Sequence, residues 1–202
     1  MVCKLKKCVI LWVQLYDTMK LFLDTADTDL IEKYYATDLI DGITTNPTLI
    51  MKSGRDPEDV YQQLIDLGID DISMEVVGDF DSMYMEGLRL ARKFGKQATI
   101  KVPCTPDGLK TCRKLARDLV NVNVTLIFSA AQAILAAKAG AKYVSPFVGR
   151  VDDNSFVGIE LIDQISDIYT IQNIRKTEIL AASVRDVKTV SDSFGAGAHV
   201  VT

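Results

Sequence analysis

The sequence is poor in the residues from which metal sites and catalytic triads are built. It contains a single histidine, His199, and four cysteines that form no CxxC pair. A zinc site of clustered His and Cys ligands is therefore excluded, and a Ser-His-Asp or Cys-His triad would depend on one imidazole. The cysteines show no disulfide framework either, which favours reduced thiols and a cytoplasmic location.

Long apolar runs, glycine-rich phosphate loops and an excess of positive charge are also missing. The apolar run at 9–15 is too short to span a membrane, and no small-residue cleavage site follows it. GAG at 195–197 lacks the spacing of a dinucleotide fingerprint. With 23 basic and 27 acidic residues, a net charge of −4 argues against nucleic-acid and membrane partners. Small phosphorylated substrates remain compatible with this balance, because a basic pocket can lie within an acidic surface.

The length and composition predict one globular domain. The 202 residues are 48% hydrophobic and 25% charged, close to globular averages. We find neither low-complexity stretches nor a linker. Residues 1–18 precede the regular pattern, and we interpret them as an N-terminal extension outside the fold. The domain is expected to cover residues 19–202.

From Lys20 onward, short β-like runs alternate with amphipathic helical stretches. Eight such strands predict a parallel sheet, either open and doubly wound or closed as a (β/α)8 TIM barrel. The first strand runs into LDTADT and not into a glycine-rich turn, which favours the barrel. Because the chain stops at strand eight, we expect the barrel to lack the last helix. The predicted strands are 20–24, 42–46, 72–77, 98–103, 122–127, 142–148, 178–183 and 198–202.

Chemistry in such a barrel collects at the C-terminal ends of the strands, where Lys101 is the most informative residue. Alternation along TIKVP turns Ile100 and Val102 toward the helices and Lys101 into the barrel interior. Burial disfavours the ammonium form, and so provides a free amine that can attack a carbonyl. A lysine at a strand edge that faces solvent is the alternative interpretation.

Two carboxylates at strand ends, Asp24 and Glu75, accompany this lysine. A charge in an otherwise apolar strand is costly unless it is paired or used. Together with Lys101, the two carboxylates provide an amine nucleophile and groups that can move protons. A structural ion pair in the barrel mouth is the alternative.

The segments after strands six and seven carry side chains suited to a phosphate group. Arg150 and Arg185 supply guanidinium groups, and Ser183 supplies a hydroxyl. A surface salt bridge is the alternative interpretation for either arginine taken alone.

Five motifs in combination resemble the transaldolase family, whose short subfamily also contains fructose-6-phosphate aldolase. They are LDTAD (23–27), GITTNPTLI (42–50), IKVP (100–103), VNVTLIFSAAQA (122–133) and SPFVGR (145–150). The resemblance covers about residues 20 to 202. It implies a Schiff-base-forming enzyme on a (β/α)8 barrel that requires no metal or organic cofactor.

The resemblance also implies roles for individual residues. Lys101 would form the covalent imine, and Asp24 would shuttle the proton in carbon–carbon cleavage. Glu75 and Thr125 would position a catalytic water. The implied substrate-binding residues are Asn46, Asn123, Ser145, Phe147, Arg150, Ser183 and Arg185, of which Arg150, Ser183 and Arg185 match the phosphate pocket.

Two positions separate the sibling activities of this family. Its aldolases resemble this chain but carry tyrosine in place of Phe147 and glutamine in place of Glu75. Because phenylalanine cannot donate or accept a proton, transfer to a second aldehyde should dominate over release of dihydroxyacetone. We therefore expect a transaldolase of the pentose phosphate pathway. An aldolase-type lyase and a truncated, non-catalytic sugar-phosphate-binding relative are the alternatives.

The expected donors are sedoheptulose 7-phosphate and fructose 6-phosphate, and the expected acceptors are glyceraldehyde 3-phosphate and erythrose 4-phosphate. The resemblance further implies a homo-oligomer. A pentamer or decamer is expected if the C-terminal helix and tail of other family members are not essential for assembly.

Overall fold

The computed structural model describes residues 19–202, which form a closed barrel of eight parallel strands. The strands are neighbours in chain order, and the last pairs with the first to close the barrel. The expectation for residues 1–18 lies outside the described residues. The strands are β1 (Lys20–Asp24), β2 (Gly42–Thr44), β3 (Ile72–Glu75), β4 (Ala98–Pro103), β5 (Asn121–Ile127), β6 (Tyr143–Pro146), β7 (Glu178–Ala181) and β8 (Val200–Val201).

Helices follow the strands, as the prediction of a (β/α)8 TIM barrel requires, and this prediction is confirmed. Within residues 19–202 a 3₁₀ turn, Gly95–Gln97, precedes β4. The α-helices are α1 (Thr28–Tyr35), α2 (Pro47–Ser53), α3 (Pro57–Asp66), α4 (Phe80–Phe94), α5 (Pro106–Arg117), α6 (Ala130–Ala139), α7 (Val148–Asp152), α8 (Gly158–Ile171) and α9 (Val187–Gly195).

Side-chain caps define where two of these helices begin. Asp27 accepts hydrogen bonds from the backbone N–H groups that open α1, and Ser129 accepts one at the start of α6. Helix α6 ends at Gly140, whose φ of 98° lies in the left-handed region that favours glycine. Local cap residues therefore set the start of α1 and both ends of α6.

Strand alternation separates the two faces of β4. The Ile100 side chain packs outward against α4, because a Cβ added at Gly87 would lie 3.0 Å from Ile100 Cγ2. Lys101, the next residue, lies on the opposite face and is 7% exposed. The inward orientation expected for Lys101 is therefore the one observed.

The predicted runs at the ends of β6, β7 and β8 are longer than the strands. Val148 and Gly149 donate their backbone N–H groups to the carbonyl oxygens of Ala182 and Ser183, and α7 begins directly after β6. Ser183 has a left-handed φ of 59°, which turns the chain away from the sheet. The predicted runs are too long because the turns after these strands contain buried apolar residues, whose pattern in the sequence is the same as that of a buried strand.

A polar network occupies the N-terminal end of the barrel. The carboxylate of Asp71 accepts hydrogen bonds from Thr99, Lys142 and Tyr143 at 2.7, 2.6 and 2.9 Å. The Tyr143 ring packs edge-on against Phe22. Since this end is filled, open space is found at the carboxyl ends of the strands. Among the described residues, no helix combines the length and apolar character needed to cross a membrane.

Candidate active site

A cavity of about 480 Å³ opens at the carboxyl ends of the strands. Its wall mixes carboxylate, amine, amide and hydroxyl groups with a few apolar side chains. Ten of the eleven residues predicted from the sequence line it, namely Asp24, Asn46, Glu75, Lys101, Asn123, Thr125, Ser145, Phe147, Arg150 and Ser183. Strand ends that are distant in sequence thus meet in one place.

Lys101 is held by two oxygen atoms. Its Nζ donates to the Thr45 carbonyl oxygen at 2.9 Å and lies 3.0 Å from Glu75 Oε2. Glu75 and Lys101 are direct partners in the pairing of β3 with β4, which sets this distance. The carboxylate offsets part of the cost of burying the ammonium group. The same contact puts a proton acceptor beside the amine.

Asp24 ends β1 at the more exposed mouth of the cavity. Thr44 Oγ1 donates to Asp24 Oδ1 at 2.9 Å, and Thr202 Oγ1 lies 2.8 Å from Thr44 Oγ1. The register of β1 with β2 places Thr44 opposite Asp24, and Thr202 follows β8, the other neighbour of β1. Sequence reasoning gave neither threonine a role, because only the pairing of three strands brings them together.

Buried amide and hydroxyl groups line the base between β3, β5 and β6. Ser145 Oγ donates to Asn123 Oδ1 at 2.7 Å, and Asn123 Nδ2 donates to Ser73 Oγ at 3.2 Å. These bonds fix the orientation of the Asn123 amide. Of the three residues joined by these hydrogen bonds, Ser73 is the one that the sequence did not predict. It lies two residues before Glu75 on the same strand, a spacing of two that alternation could have revealed.

Thr125 differs from its neighbours in this wall. Its Oγ1 is buried and has no hydrogen-bond partner among residues 19–202. Leaving a buried hydroxyl unpaired costs about 1–3 kcal/mol, so this oxygen is available to a ligand or a water.

Asn46 and Phe147 form parts of the rim. The Asn46 side chain caps α2 by accepting a hydrogen bond from the Leu49 N–H at 3.0 Å. The Phe147 ring packs edge-on against Phe128, with the ring centroids 5.7 Å apart. The Arg150 guanidinium lies 4.8 Å from the Phe147 ring centroid. This contact between the cation and the ring holds the positive charge of Arg150 beside the cavity wall.

Arg185 lies outside this cavity lining. Its Nη1 and Nη2 donate to the two carboxylate oxygens of Asp153 at 2.6 and 2.7 Å, and both side chains are about half exposed. The left-handed turn at Ser183 directs the following residues to the outer rim, where Asp153 is within reach. This ion pair lowers the pKa of Asp153. The alternative of a surface salt bridge describes Arg185 in this structure, and its phosphate contact stays a prediction.

Metal-ligand clusters and activated thiols are not part of the described site. Within residues 19–202, no three or more His, Cys, Asp or Glu side chains are grouped so that they could hold a metal ion. Burial raises the pKa of Cys104, and raises that of Cys112 to about 12. Both thiols therefore stay protonated near neutral pH.

Comparison with known proteins identifies the family to which this chain belongs. The sequence model of the family described as Transaldolase/Fructose-6-phosphate aldolase matches residues 21–202. Proteins named probable transaldolase from Nitrosopumilus maritimus and Hyphomonas neptunium are 50% and 51% identical to this chain over 185 residues. Each alignment covers 91% of this chain, and 83% and 85% of the respective relatives. A protein of the same name from Clostridium botulinum is 45% identical over 91% of this chain and 84% of its own length. The chain belongs to the transaldolase/fructose-6-phosphate aldolase family.

Proposed function

We propose that this protein is a transaldolase that carries a dihydroxyacetone unit on Lys101. The observation that carries the proposal is the buried Lys101 amine, 3.0 Å from the Glu75 carboxylate, in a cavity that also exposes Asp24. Relatives named probable transaldolase support the same activity. We place the reaction in the cytoplasmic pentose phosphate pathway.

Imine formation begins when Lys101 loses a proton and its nitrogen adds to the C2 carbonyl of a ketose phosphate. Glu75, in contact with Nζ, accepts that proton. After the nitrogen passes a proton to the C2 oxygen, protonated Glu75 returns its proton to the resulting C2 hydroxyl, which leaves as water while the carbon–nitrogen double bond of the protonated imine forms. Thr125 holds the water through the hydroxyl that has no partner among residues 19–202.

Cleavage uses the protonated imine as an electron sink. Asp24 accepts the C4 hydroxyl proton, the C3–C4 electron pair moves toward the imine, and C4 leaves as an aldehyde. The three-carbon enamine stays on Lys101. When an acceptor aldehyde arrives, the steps reverse, and Asp24 returns the proton to the new C4 hydroxyl.

The amide and hydroxyl groups at the base would hold the three-carbon unit, and the arginine side of the cavity would hold the phosphate. Asn123 and Ser145 are already oriented by their mutual hydrogen bond. Arg150 and Ser183 line the cavity beside Phe147. We propose sedoheptulose 7-phosphate and fructose 6-phosphate as donors, and glyceraldehyde 3-phosphate and erythrose 4-phosphate as acceptors.

Phe147 favours transfer over the sibling aldolase reaction. Its ring lines the cavity and packs against Phe128, so no ionisable hydroxyl stands at this position. Without such a group to deliver a proton to the enamine, the three-carbon unit is retained until an acceptor aldehyde takes it.

The test is borohydride trapping with fructose 6-phosphate, followed by intact-mass and peptide mass spectrometry. We expect a dihydroxyacetone-sized adduct on Lys101, and none on Lys101→Met. With erythrose 4-phosphate present, sedoheptulose 7-phosphate should form faster than free dihydroxyacetone is released. Folded protein that forms no adduct would overturn the imine mechanism, whereas faster release of free dihydroxyacetone would assign the chain to the aldolases.

A further inference from the structure

Two hydroxyl groups in series connect β8 and β2 to the Asp24 carboxylate. Thr202 Oγ1 lies 2.8 Å from Thr44 Oγ1, which lies 2.9 Å from Asp24 Oδ1. All three residues line the cavity, and Thr44 is buried. The three side chains come from β2, from the end of β1 and from the residue after β8, so the series spans the strand pairing that closes the barrel.

The direction of this series follows from the number of protons available. An ionised carboxylate only accepts hydrogen bonds, and each hydroxyl has a single hydrogen to donate. Thr44 therefore donates its only hydroxyl hydrogen to Asp24, and the Thr44 oxygen accepts a hydrogen bond from Thr202. The order of donation is Thr202 to Thr44 to Asp24.

The Thr202 hydroxyl serves no evident purpose in holding its own strand. Its backbone N–H donates to the Ala181 carbonyl oxygen at 2.9 Å, so β7 already anchors this residue. Its Oγ1 makes a hydrogen bond with Thr44 alone among the side-chain groups of residues 19–202. A hydroxyl placed in this way acts on the Thr44 hydroxyl, and through it on Asp24.

We propose that Thr202 is a positioning residue that orients the Thr44 hydroxyl and thereby fixes the Asp24 carboxylate for proton transfer. The proposal rests on the proposed function, in which Asp24 accepts the C4 hydroxyl proton. With Oδ1 held by Thr44, the second oxygen is presented to the substrate. In the cleavage step that oxygen gains the proton, the C3–C4 pair moves to the imine and the C4 carbonyl forms, so the step balances without any other reactant.

Imine formation at Lys101 does not involve this series, which gives the proposal a specific signature. When Asp24 is poorly oriented, the ketose still forms its imine but is cleaved slowly. Borohydride then traps more of the intact six-carbon phosphate and less of the three-carbon unit on Lys101. The ratio of these two adduct masses reports on Asp24 and not on Lys101.

The experiment compares Thr202→Val and Thr202→Ser with the wild type. We expect Thr202→Val to lower kcat about three- to tenfold, as for the loss of a typical hydrogen bond, with KM nearly unchanged. The share of six-carbon adduct should rise, and Thr202→Ser should restore both values. Thr170→Val replaces an exposed hydroxyl on α8 and serves as the matched control.

A double-mutant cycle tests whether Thr202 acts through Thr44. Thr44→Val should slow cleavage by about 10- to 100-fold, because its bond goes to a charged group. The double variant Thr44→Val/Thr202→Val should then be no slower than Thr44→Val alone. Additive losses, or a Thr202→Val enzyme with wild-type kcat and adduct ratio, would overturn the proposal. Equal losses in Thr202→Val and Thr202→Ser would do the same.

These outcomes are distinct from a failure of the proposed function. In that case the wild-type protein itself forms no adduct on Lys101. A loss of total trapping yield in Thr202→Val would instead show a structural role for Thr202 and would overturn the positioning role.

Discussion

Two threonines in this molecule bury a hydroxyl that has no hydrogen-bond partner among the described residues. Thr125 lies on β5 and lines the cavity, whereas Thr111 lies on α5, away from it. An unpaired hydroxyl is therefore not by itself a sign of function. At the scale of the residue, position decides whether the group is available to a substrate or water.

Thr125 and Thr111 can be compared by making the same substitution at both positions. Because valine has nearly the same shape as threonine without the unpaired oxygen, Thr125→Val and Thr111→Val should each leave the free energy of unfolding unchanged or raise it by about 1 kcal/mol. Thr125→Val should lower the transfer rate roughly tenfold or more, because the hydroxyl that we propose to hold the water is lost. Thr111→Val should keep the wild-type rate. Urea unfolding and a transfer assay measure both effects, and a fully active Thr125→Val would contradict the role of Thr125.

Lys101 and Arg185 show how far single residues are predictable. Strand alternation alone places Lys101 in the barrel interior, since a strand that packs apolar residues on helices leaves the next residue facing inward. The sequence has no comparable rule for Arg185. Its position depends on a left-handed turn at Ser183 and on the nearby Asp153 carboxylate.

At the scale of the element, α5 packs closely against the end of β4, the strand that carries Lys101. Helix α5 starts at the Thr105 cap, which accepts a hydrogen bond from the Gly108 N–H at 3.0 Å. A Cβ at Gly108 would lie 1.9 Å from the carbonyl oxygen of Pro103, the last residue of β4. The close approach of helix and strand therefore requires glycine at this position.

Gly108→Ala should consequently destabilise the fold. The added carbon meets backbone and not a flexible side chain, so α5 must shift away from β4 at a cost of about 1–3 kcal/mol. Gly195→Ala is the control, because a Cβ at Gly195 meets nothing within 4 Å. That variant should be neutral or more stable by about 0.5–1 kcal/mol, since alanine favours helix. Thermal and urea unfolding measure the difference, and two equally stable variants would contradict the predicted clash.

At the scale of the whole molecule, the core buries several groups that ionise at alkaline pH. Burial raises the pKa of Tyr61, Tyr143 and Tyr169, and raises that of Cys112 from 9.0 to about 12. The unfolded chain releases these protons at lower pH than the folded chain. The contribution of these protonated groups to the free energy of unfolding is therefore complete below about pH 9. It declines as the pH rises toward their folded pKa values.

Cys112 allows this whole-molecule effect to be measured with one substitution. Between pH 9 and 12 its thiol should reduce the free energy of unfolding by about 1.4 kcal/mol for each pH unit. Cys112→Ala should therefore show a shallower alkaline decline than the wild type, whatever its stability at neutral pH. Ile100→Val, a buried change without a titratable group, should keep the wild-type slope. Urea unfolding from pH 8 to 10.5 tests this, and parallel curves for Cys112→Ala and wild type would refute it.

The sequence by itself determined the barrel and the inward face of β4. These features depend on the alternation of strands with helices and on a strand period of two, which neighbouring residues encode directly. It also placed ten of the eleven predicted residues on strand ends or loops that meet at one cavity, because parallel strands in a barrel share a carboxyl end.

Only the tertiary structure decided which side chains touch. The contact of Lys101 with Glu75, the series from Thr202 to Asp24 and the bond between Asn123 and Ser73 all depend on the register between strands. Register is set by barrel closure and by how the helices pack, and is not encoded near any one of these residues. The pairing of Arg185 with Asp153 arose in the same way, from a turn whose direction only the folded chain defines.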